Sequence, residues 1–287
     1  MGETEREREP ETEPTEETVT LEDLVSDLEE LGLDSGDELV VHSSLSSIGW
    51  VDGGAETVVD ALLTVVGEEG TIAVPTFTPV VVREEPFDRE RTPSGTGAVT
   101  EALRARPEAL RSDHPTHSVS AIGPAARALT RNHRLERSLG PDSPLHRLAQ
   151  RGGKVLLIGV GLERNSTLHV AEALAELPYK TGTNRVLRRE AGGNEGDETE
   201  DANTTVRTVE TARVGCGKGF PVLEPVAEAA GALTRGTVGA ADARLIAGED
   251  IISTALAVLE DDPGFLLCEK PDCWWCPEAR DALSETP

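Results

Sequence analysis

The sequence predicts an α/β fold, a central mixed sheet flanked by helices. Three observations carry this expectation. Short apolar runs of strand length alternate with segments of 3.6-residue periodicity. Glycine or proline punctuates most of the junctions between them. The chain has 287 residues, 37% of them hydrophobic, which is enough for a sizeable core, yet no apolar run approaches the roughly 20 residues a membrane span needs.

The elements follow in order. Residues 1 to about 18 hold eight glutamates, two arginines, Pro10 and Pro14 with almost nothing apolar, so this acidic tail is expected to be disordered. From 19 to 287 a single domain is expected. Leu21, Leu24, Val25, Leu28 and Leu31 recur at helical spacing, with Thr20 as N-cap and Gly32 as stop. A strand over Glu38–His42 leads into a serine loop. A helix over Thr57–Val66, a strand over Thr71–Val74 and a helix over Gly97–Arg106 come next. Ser118–Ile122 reads as a strand, Ala125–Thr130 as the start of a helix, and Lys154–Val160 as the clearest strand of all. Leu168–Leu177 reads as a helix. Glu190–Asn203 breaks the pattern with six acidic residues and three glycines, and reads as a mobile acidic insert. Leu223–Leu233 and Ile251–Leu259 read as helices, and a cysteine-bearing tail closes the chain.

Charge narrows the function classes. There are 27 Lys+Arg against 53 Asp+Glu, a formal net charge of −26. Such a surface repels nucleic acid, because phosphate binding needs clustered basic residues. Only four lysines occur: Lys154, Lys180, Lys218 and Lys270. The Glu-rich start lacks the basic and apolar regions of a signal peptide. A soluble, cytoplasmic protein with no membrane or nucleic-acid partner is expected.

Three segments carry chemistry. Val41–Gly54, VHSSLSSIGWVDGG, follows a strand and precedes a helix, an arrangement that presents unpaired N–H groups to phosphate. Ser43, Ser44, Ser46 and Ser47 add hydroxyls. The loop lacks both GxGxxG and GxxxxGK[ST], and it reads equally as a serine-rich turn. Arg111–Gly123, RSDHPTHSVSAIG, places His114 and His117 beside Asp113 and Arg111. These side chains suit orienting a substrate or binding a metal, although no third ligand has recognisable spacing; a polar loop before a buried strand is the other reading. Leu156–Glu172, LLIGVGLERNSTLHVAE, runs from strand through a glycine loop to a helix with His169 and Glu172 on one face. Such a pair suits general base catalysis, with the carboxylate fixing the imidazole tautomer, and a structural role is the competing reading.

All three segments resemble the aminoglycoside 3-N-acetyltransferase family. The similarity spans roughly Leu21 to Leu259, through the serine loop, the RS-x-HP and A-I-G elements of the second segment, and Thr167-Leu168-His169-Val170-Ala171-Glu172. The resemblance implies an acetyl-CoA-dependent N-acetyltransferase acting on an aminoglycoside or other amino-sugar or polyamine-like acceptor, held in an acidic pocket. Coenzyme A would lie along Ser43, Ser44, Leu45, Ser46, Ser47 and Ile48. His169 would be the base, paired with Glu172 or with Glu210 of the RTVE segment. Arg111, His114 and His117 would meet the substrate. Arg235–Ala247, RGTVGAADARLIA, resembles a closing structural segment. A thioester hydrolase and a coenzyme A ester-binding protein remain alternatives on the same scaffold. The acidic, lysine-poor composition resembles that of haloarchaeal cytosolic proteins.

Cys216, Cys268, Cys273 and Cys276 lie in the last third of the chain. C-x4-C-x2-C with Cys216 is a candidate for a structural zinc site; plain thiols and a redox pair are the competing readings, and a cytosolic setting argues against disulfides.

Overall fold

The structure, a computed structural model, describes residues 18–78, 85–191 and 204–285. The acidic stretch 1–17 and residues 192–203 of the insert lie outside them. Helix α1, Leu21–Glu30, starts at a capping box: Thr20 Oγ1 accepts from the Asp23 N–H while the Asp23 carboxylate accepts from the Thr20 N–H at 2.9 Å. Leu24 and Leu28, one turn apart, are buried.

Strands β1 (Glu38–Ser43), β2 (Thr71–Pro75), β3 (Leu110–Arg111), β4 (Val119–Ile122) and β5 (Lys154–Ile158) join a later hairpin, β8 (Leu233–Val238) with β9 (Ala241–Ala247). The sheet order is β3-β4-β2-β1-β5-β9-β8. Strand β1 runs parallel to β2 and β5, and the remaining pairings are antiparallel, so the sheet is mixed. A separate two-stranded ribbon pairs β6 (Thr183–Ala191) with β7 (Thr204–Ala212), Thr183 opposite Ala212. The first residues of the expected insert, Glu190 and Ala191, end β6.

Successive residues of the central strands, buried on both faces, face opposite sides and divide the core into two layers. Leu39, Val41, Leu156 and Ile158 face α1, α3 (Ala55–Val66) and α4 (Ala98–Ala105). Val40, Val155 and Leu157 face the other layer: α5 (Ala126–Thr130), α6 (Pro144–Gln150), α7 (Leu168–Leu174) and α9 (Gly248–Asp261). Strands buried on both faces read as continuous apolar runs, which is why β1 and β5 are plain in the sequence. At roughly 1.5–3 kcal/mol for each large side chain removed from water, these two layers supply the main force holding the sandwich together.

Two expectations change. Leu223–Leu233 is not one helix: a 3₁₀ turn, Phe220–Leu223, leads into α8, Glu224–Ala229, and Leu233 already opens β8. Gly231, at φ +71, reverses the chain between them. The ribbon β6–β7 stands where no element was expected. Arginines and threonines occupy both its faces, so it lacks the apolar alternation that announces a strand. No helix among the described residues is long and apolar enough to cross a membrane.

Candidate active site

Strands β1, β2 and β5 all end at one edge of the sheet, the position open α/β sheets use for ligands. Ser43 pairs with Ile158 in the ladder, so the serine segment lies against the loop after β5. A cavity of ≈ 840 Å³ opens there, lined by Ser43, Ser44, Leu45 and Ser46, by Pro75 and Phe77 after β2, and by Gly159, Arg164 and His169 beyond β5. The serine segment is a short helical turn, α2 (Leu45–Ile48), rather than an open loop. Ser44 and Ser47 hold it with a hydroxyl–hydroxyl bond of 2.8 Å. Gly159 makes the approach feasible: at φ +65, a Cβ on it would sit 2.4 Å from Ser47 Cβ.

The turn places two residues of the expected coenzyme set, Ser47 and Ile48, away from the cavity. Ile48 is wholly buried in the α1/α3 layer, and its carbonyl accepts from Ala240 N–H. Ser47 points back to Ser44 and the Gly159 carbonyl. Neither lines the cavity, because in a helical turn they fall on the face away from Leu45 and Ser46.

Across the cavity, α7 presents His169. Its Nδ1 donates to Glu172 Oε2 at 2.7 Å, one helical turn on. Lys180 Nζ donates to the same oxygen at 3.1 Å and also to the Val214 carbonyl; the Tyr179 hydroxyl donates to Glu172 Oε1 at 3.4 Å. Glu172 is therefore a buried carboxylate with three donors. Burial opposes its ionisation, but Lys180 and His169 overrule it and hold the carboxyl below its usual range. His169 is pushed down, chiefly by burial, with Glu172 pulling the other way and Lys180 adding to the depression. At neutral pH the ring is thus uncharged, with the proton on Nδ1 and the lone pair on Nε2. Phe220 packs edge-on against it, centroids 4.7 Å apart. His169 also lines a second cavity of ≈ 470 Å³ with Glu136, Arg137, Glu176, Lys180 and Arg213. Its imidazole therefore stands between two concavities.

The other expected site residues separate. His117 lines the serine-turn cavity and a further one beside the ribbon. It packs edge-on to Phe77 and is bonded through Nδ1 to Thr116 Oγ1 at 2.9 Å, and burial, with His169 and His133 nearby, pushes it down to about 3. His114 is fully buried. Its Nδ1 accepts from the His117 N–H at 3.0 Å and its Nε2 meets the Leu135 carbonyl and Ser138 Oγ, so it organises the loop and touches no cavity described above. Arg111 is also engaged by protein. Its guanidinium donates to Ser118 Oγ and to the carbonyls of Thr76, Thr92 and Arg89, and lies 5.0 Å over Phe87. Glu210, on β7, pairs with Thr183 Oγ1 and Arg185. The carboxylate beside His169 is Glu172.

Residues 40–260 match the family model described as aminoglycoside 3-N-acetyltransferase. The chain belongs to that family of acyltransferases. Aminoglycoside N(3)-acetyltransferase VII of Streptomyces paromomycinus is 38% identical over 275 residues, 86% of this chain and 93% of the relative. Aminoglycoside N(3)-acetyltransferase IX of Micromonospora chalcea is 33% identical over 271 residues, 84% and 94%. Among solved structures, AAC-IIIb in binary complex with CoASH superposes with TM-score 0.75 at 30% identity, covering 85% of this chain and 97% of the other. A histidine-to-alanine variant of AAC(3)-IVa in complex with a gentamicin gives TM-score 0.80 at 29% identity, covering 94% and 100%.

In this family member, sequence reasoning passed over Lys180, Tyr179 and His42. Lys180 and Tyr179 lie in the turn after α7, so no helical spacing links them to Glu172. His42, the last apolar-flanked residue of β1, lines the serine-turn cavity with a buried Nε2 that has no partner among the described residues. Burial, with Arg164 assisting, pushes it down to about 3. A histidine ending a strand-length apolar run was the signal available. The second cavity is mixed in charge: Glu136 and Glu176 line it together with Arg137, Lys180 and Arg213.

Proposed function

We propose that the chain transfers the acetyl group of acetyl-CoA to an amine of an aminoglycoside or similar amino sugar, by direct attack with His169 as general base. The observation that carries this reading is the position of His169. One ring nitrogen is held by Glu172 at 2.7 Å, and the ring borders both the serine-turn cavity and the second cavity. A base between two substrates is what direct transfer requires.

Acetyl-CoA would occupy the serine-turn cavity, its phosphates and pantetheine against Ser43, Ser44, Leu45 and Ser46. The first N–H groups of a helical turn have no intrahelical partner and are free to donate. The acceptor would enter from the second cavity, with its ammonium near Glu136 or Glu176. His169 Nε2 takes one proton from the ammonium, and the freed lone pair attacks the thioester carbonyl. The tetrahedral oxyanion collapses, the C–S bond breaks, the coenzyme A thiolate takes the proton back from the imidazolium, and the attacking nitrogen sheds its remaining extra proton to solvent as the neutral amide forms. Glu172 stabilises that imidazolium in between, and Lys180 and Tyr179 keep Glu172 fixed and ionised. Base catalysis of this kind contributes about 10²–10⁴-fold.

The test follows thiol release from acetyl-CoA in molar KCl across a panel of aminoglycosides, amino sugars and polyamines, with wild type and His169→Ala side by side. Amine-dependent release that the substitution abolishes is expected. Release independent of any amine would replace this reading with thioester hydrolysis.

A further inference from the structure

We infer that Cys216, Cys268, Cys273 and Cys276 form a tetrahedral zinc site that ties the C-terminal segment to the wall of the active-site cleft. This inference stands apart from the acetyl-transfer reading. The four sulfurs come from two stretches of chain, Cys216 and the 268–276 run, yet all lie within 4.8 Å of one another, and Cys216 Sγ and Cys268 Sγ are 4.0 Å apart. Zinc bound to four thiolates at about 2.3 Å places its sulfurs about 3.8 Å apart. The cluster needs only a small contraction to close on an ion. A disulfide would need a sulfur pair near 2.05 Å, and a redox thiol needs exposure; all four cysteines are free and buried.

The surroundings are those of a thiolate centre. Two of the sulfurs accept backbone N–H groups: Cys216 from Lys218 at 3.4 Å and Cys273 from Cys276 at 3.5 Å. Such donors orient thiolates and spread their charge. Among the described residues no histidine or carboxylate joins the cluster, and an all-sulfur donor set selects a soft or borderline ion over magnesium or calcium. Four thiolates and one Zn²⁺ leave a double negative charge, and cations stand nearby. Arg280 donates to the Cys268 carbonyl at 2.7 Å, and the Arg213 guanidinium lies 4.9 Å over the Trp275 ring.

Position gives the site its consequence. Val214 and Gly215, immediately before Cys216, line the cleft, and the Val214 carbonyl accepts from Lys180, the partner of Glu172. Trp275 packs on Gly215 so closely that a Cβ there would meet the indole Nε1 at 2.9 Å. The last helix, α10 (Cys276–Ser284), fully buries only Cys276 and Ala279, with Ala282 and Leu283 partly buried against the same core. Coordination at Cys276 would add a fixed attachment to this modest packing. Binding converts thiols to thiolates and releases their protons to solvent.

The experiment uses the full chain, purified without chelator. Elemental analysis is expected to find one zinc per chain. Mercurial displacement followed by Co²⁺ loading is expected to give intense thiolate-to-cobalt charge-transfer bands and the visible bands of a tetrahedral ion. Cys216→Ser is expected to lower the metal content at least tenfold. Should that variant fail to fold, the wild-type metal count and cobalt spectrum still decide. Stripping the zinc is expected to increase hydrogen exchange at least tenfold in 214–217 and 268–284. Folded protein that carries no zinc and takes up no Co²⁺, or a cobalt spectrum without thiolate bands, overturns the site. Unchanged exchange in those two segments after stripping overturns the tie to the cleft wall.

Discussion

Lys180 Nζ donates to Glu172 Oε2 at 3.1 Å, the same oxygen that receives the His169 proton at 2.7 Å. The lysine thus acts on the imidazole through a shared carboxylate and by direct charge. Both influences keep the pair in the form His-neutral, Glu-ionised. Because His169 is depressed, the acidic limb of the kcat/KM profile is expected below the ordinary histidine value of about 6.5. Lys180→Met removes a positive charge that disfavours the imidazolium, so the limb is expected to move to higher pH. A pH–rate profile of the two proteins checks this, and a limb that stays in place would remove Lys180 from the pair.

Glu172→Gln keeps the shape of the side chain but removes the charge that orients and stabilises the imidazolium. We expect kcat to fall about 10²-fold or more, with acetyl-CoA affinity within about threefold of wild type by calorimetry. Glu210→Gln, changing an exposed ribbon residue paired with Arg185, is expected to leave kcat within about twofold. A reversed order would hand the carboxylate role to Glu210.

Arg111 was expected at the substrate and is found bracing the loop after β2. Its guanidinium joins Thr76, Ser118, Thr92 and Arg89 while covering Phe87. Breaking a buried charged hydrogen bond costs about 1.5–3 kcal/mol. Arg111→Ala is therefore expected to lower stability by at least about 2 kcal/mol in denaturant titration. Acceptor KM, measured on the folded fraction, is expected to stay within about threefold. A large KM effect at unchanged stability would restore the substrate role.

The contrast between these residues shows what the sequence makes legible. His169 and Glu172 are readable because three-residue spacing on a helix fixes their relation regardless of the rest of the fold. Strands β1 and β5 are readable because burial on both faces leaves an unbroken apolar run. Arg111 and His114 carry the same residue types as a binding site, but whether a guanidinium meets ligand or carbonyls depends on where the loop after β2 folds, a tertiary fact. Lys180 reaches Glu172 across a turn that has no period. The ribbon β6–β7 is hidden by its arginines, and β8–β9, seen in the sequence only as a closing segment, depends on a tight turn at Gly239, φ +55.

Gly159 offers a test of the serine turn that leaves every polar group in place. Its positive φ already disfavours alanine, and the added Cβ would overlap Ser47. Gly159→Ala is expected to push α2 away from β5 and raise KM for acetyl-CoA about tenfold or more, equivalent to about 1.4 kcal/mol, with less effect on acceptor KM. Equal effects on both substrates would argue against coenzyme binding at this turn.

Acid and salt act on the whole sandwich in opposite directions. His42 and His117 are held near about 3 and His133 near about 4, in each case chiefly by burial. Their unfolded counterparts titrate near about 6.5. Between those values the unfolded chain binds more protons, so stability is full above about 6.5 and falls as pH drops toward 4. Added salt works through the net charge of −26: raising it from 0.1 M to 1 M shortens the Debye length from about 10 Å to about 3 Å and screens the repulsion among surface carboxylates. We expect the denaturation midpoint at pH 7.5 to rise steeply with KCl, and the loss between pH 6.5 and 4 to persist at molar salt because buried histidines are poorly screened. Thermal melts over a grid of pH and KCl check both. Full stability in dilute buffer would show that the acidic surface is carried without a salt requirement, and a flat acid limb would show the histidines reaching solvent in the folded state.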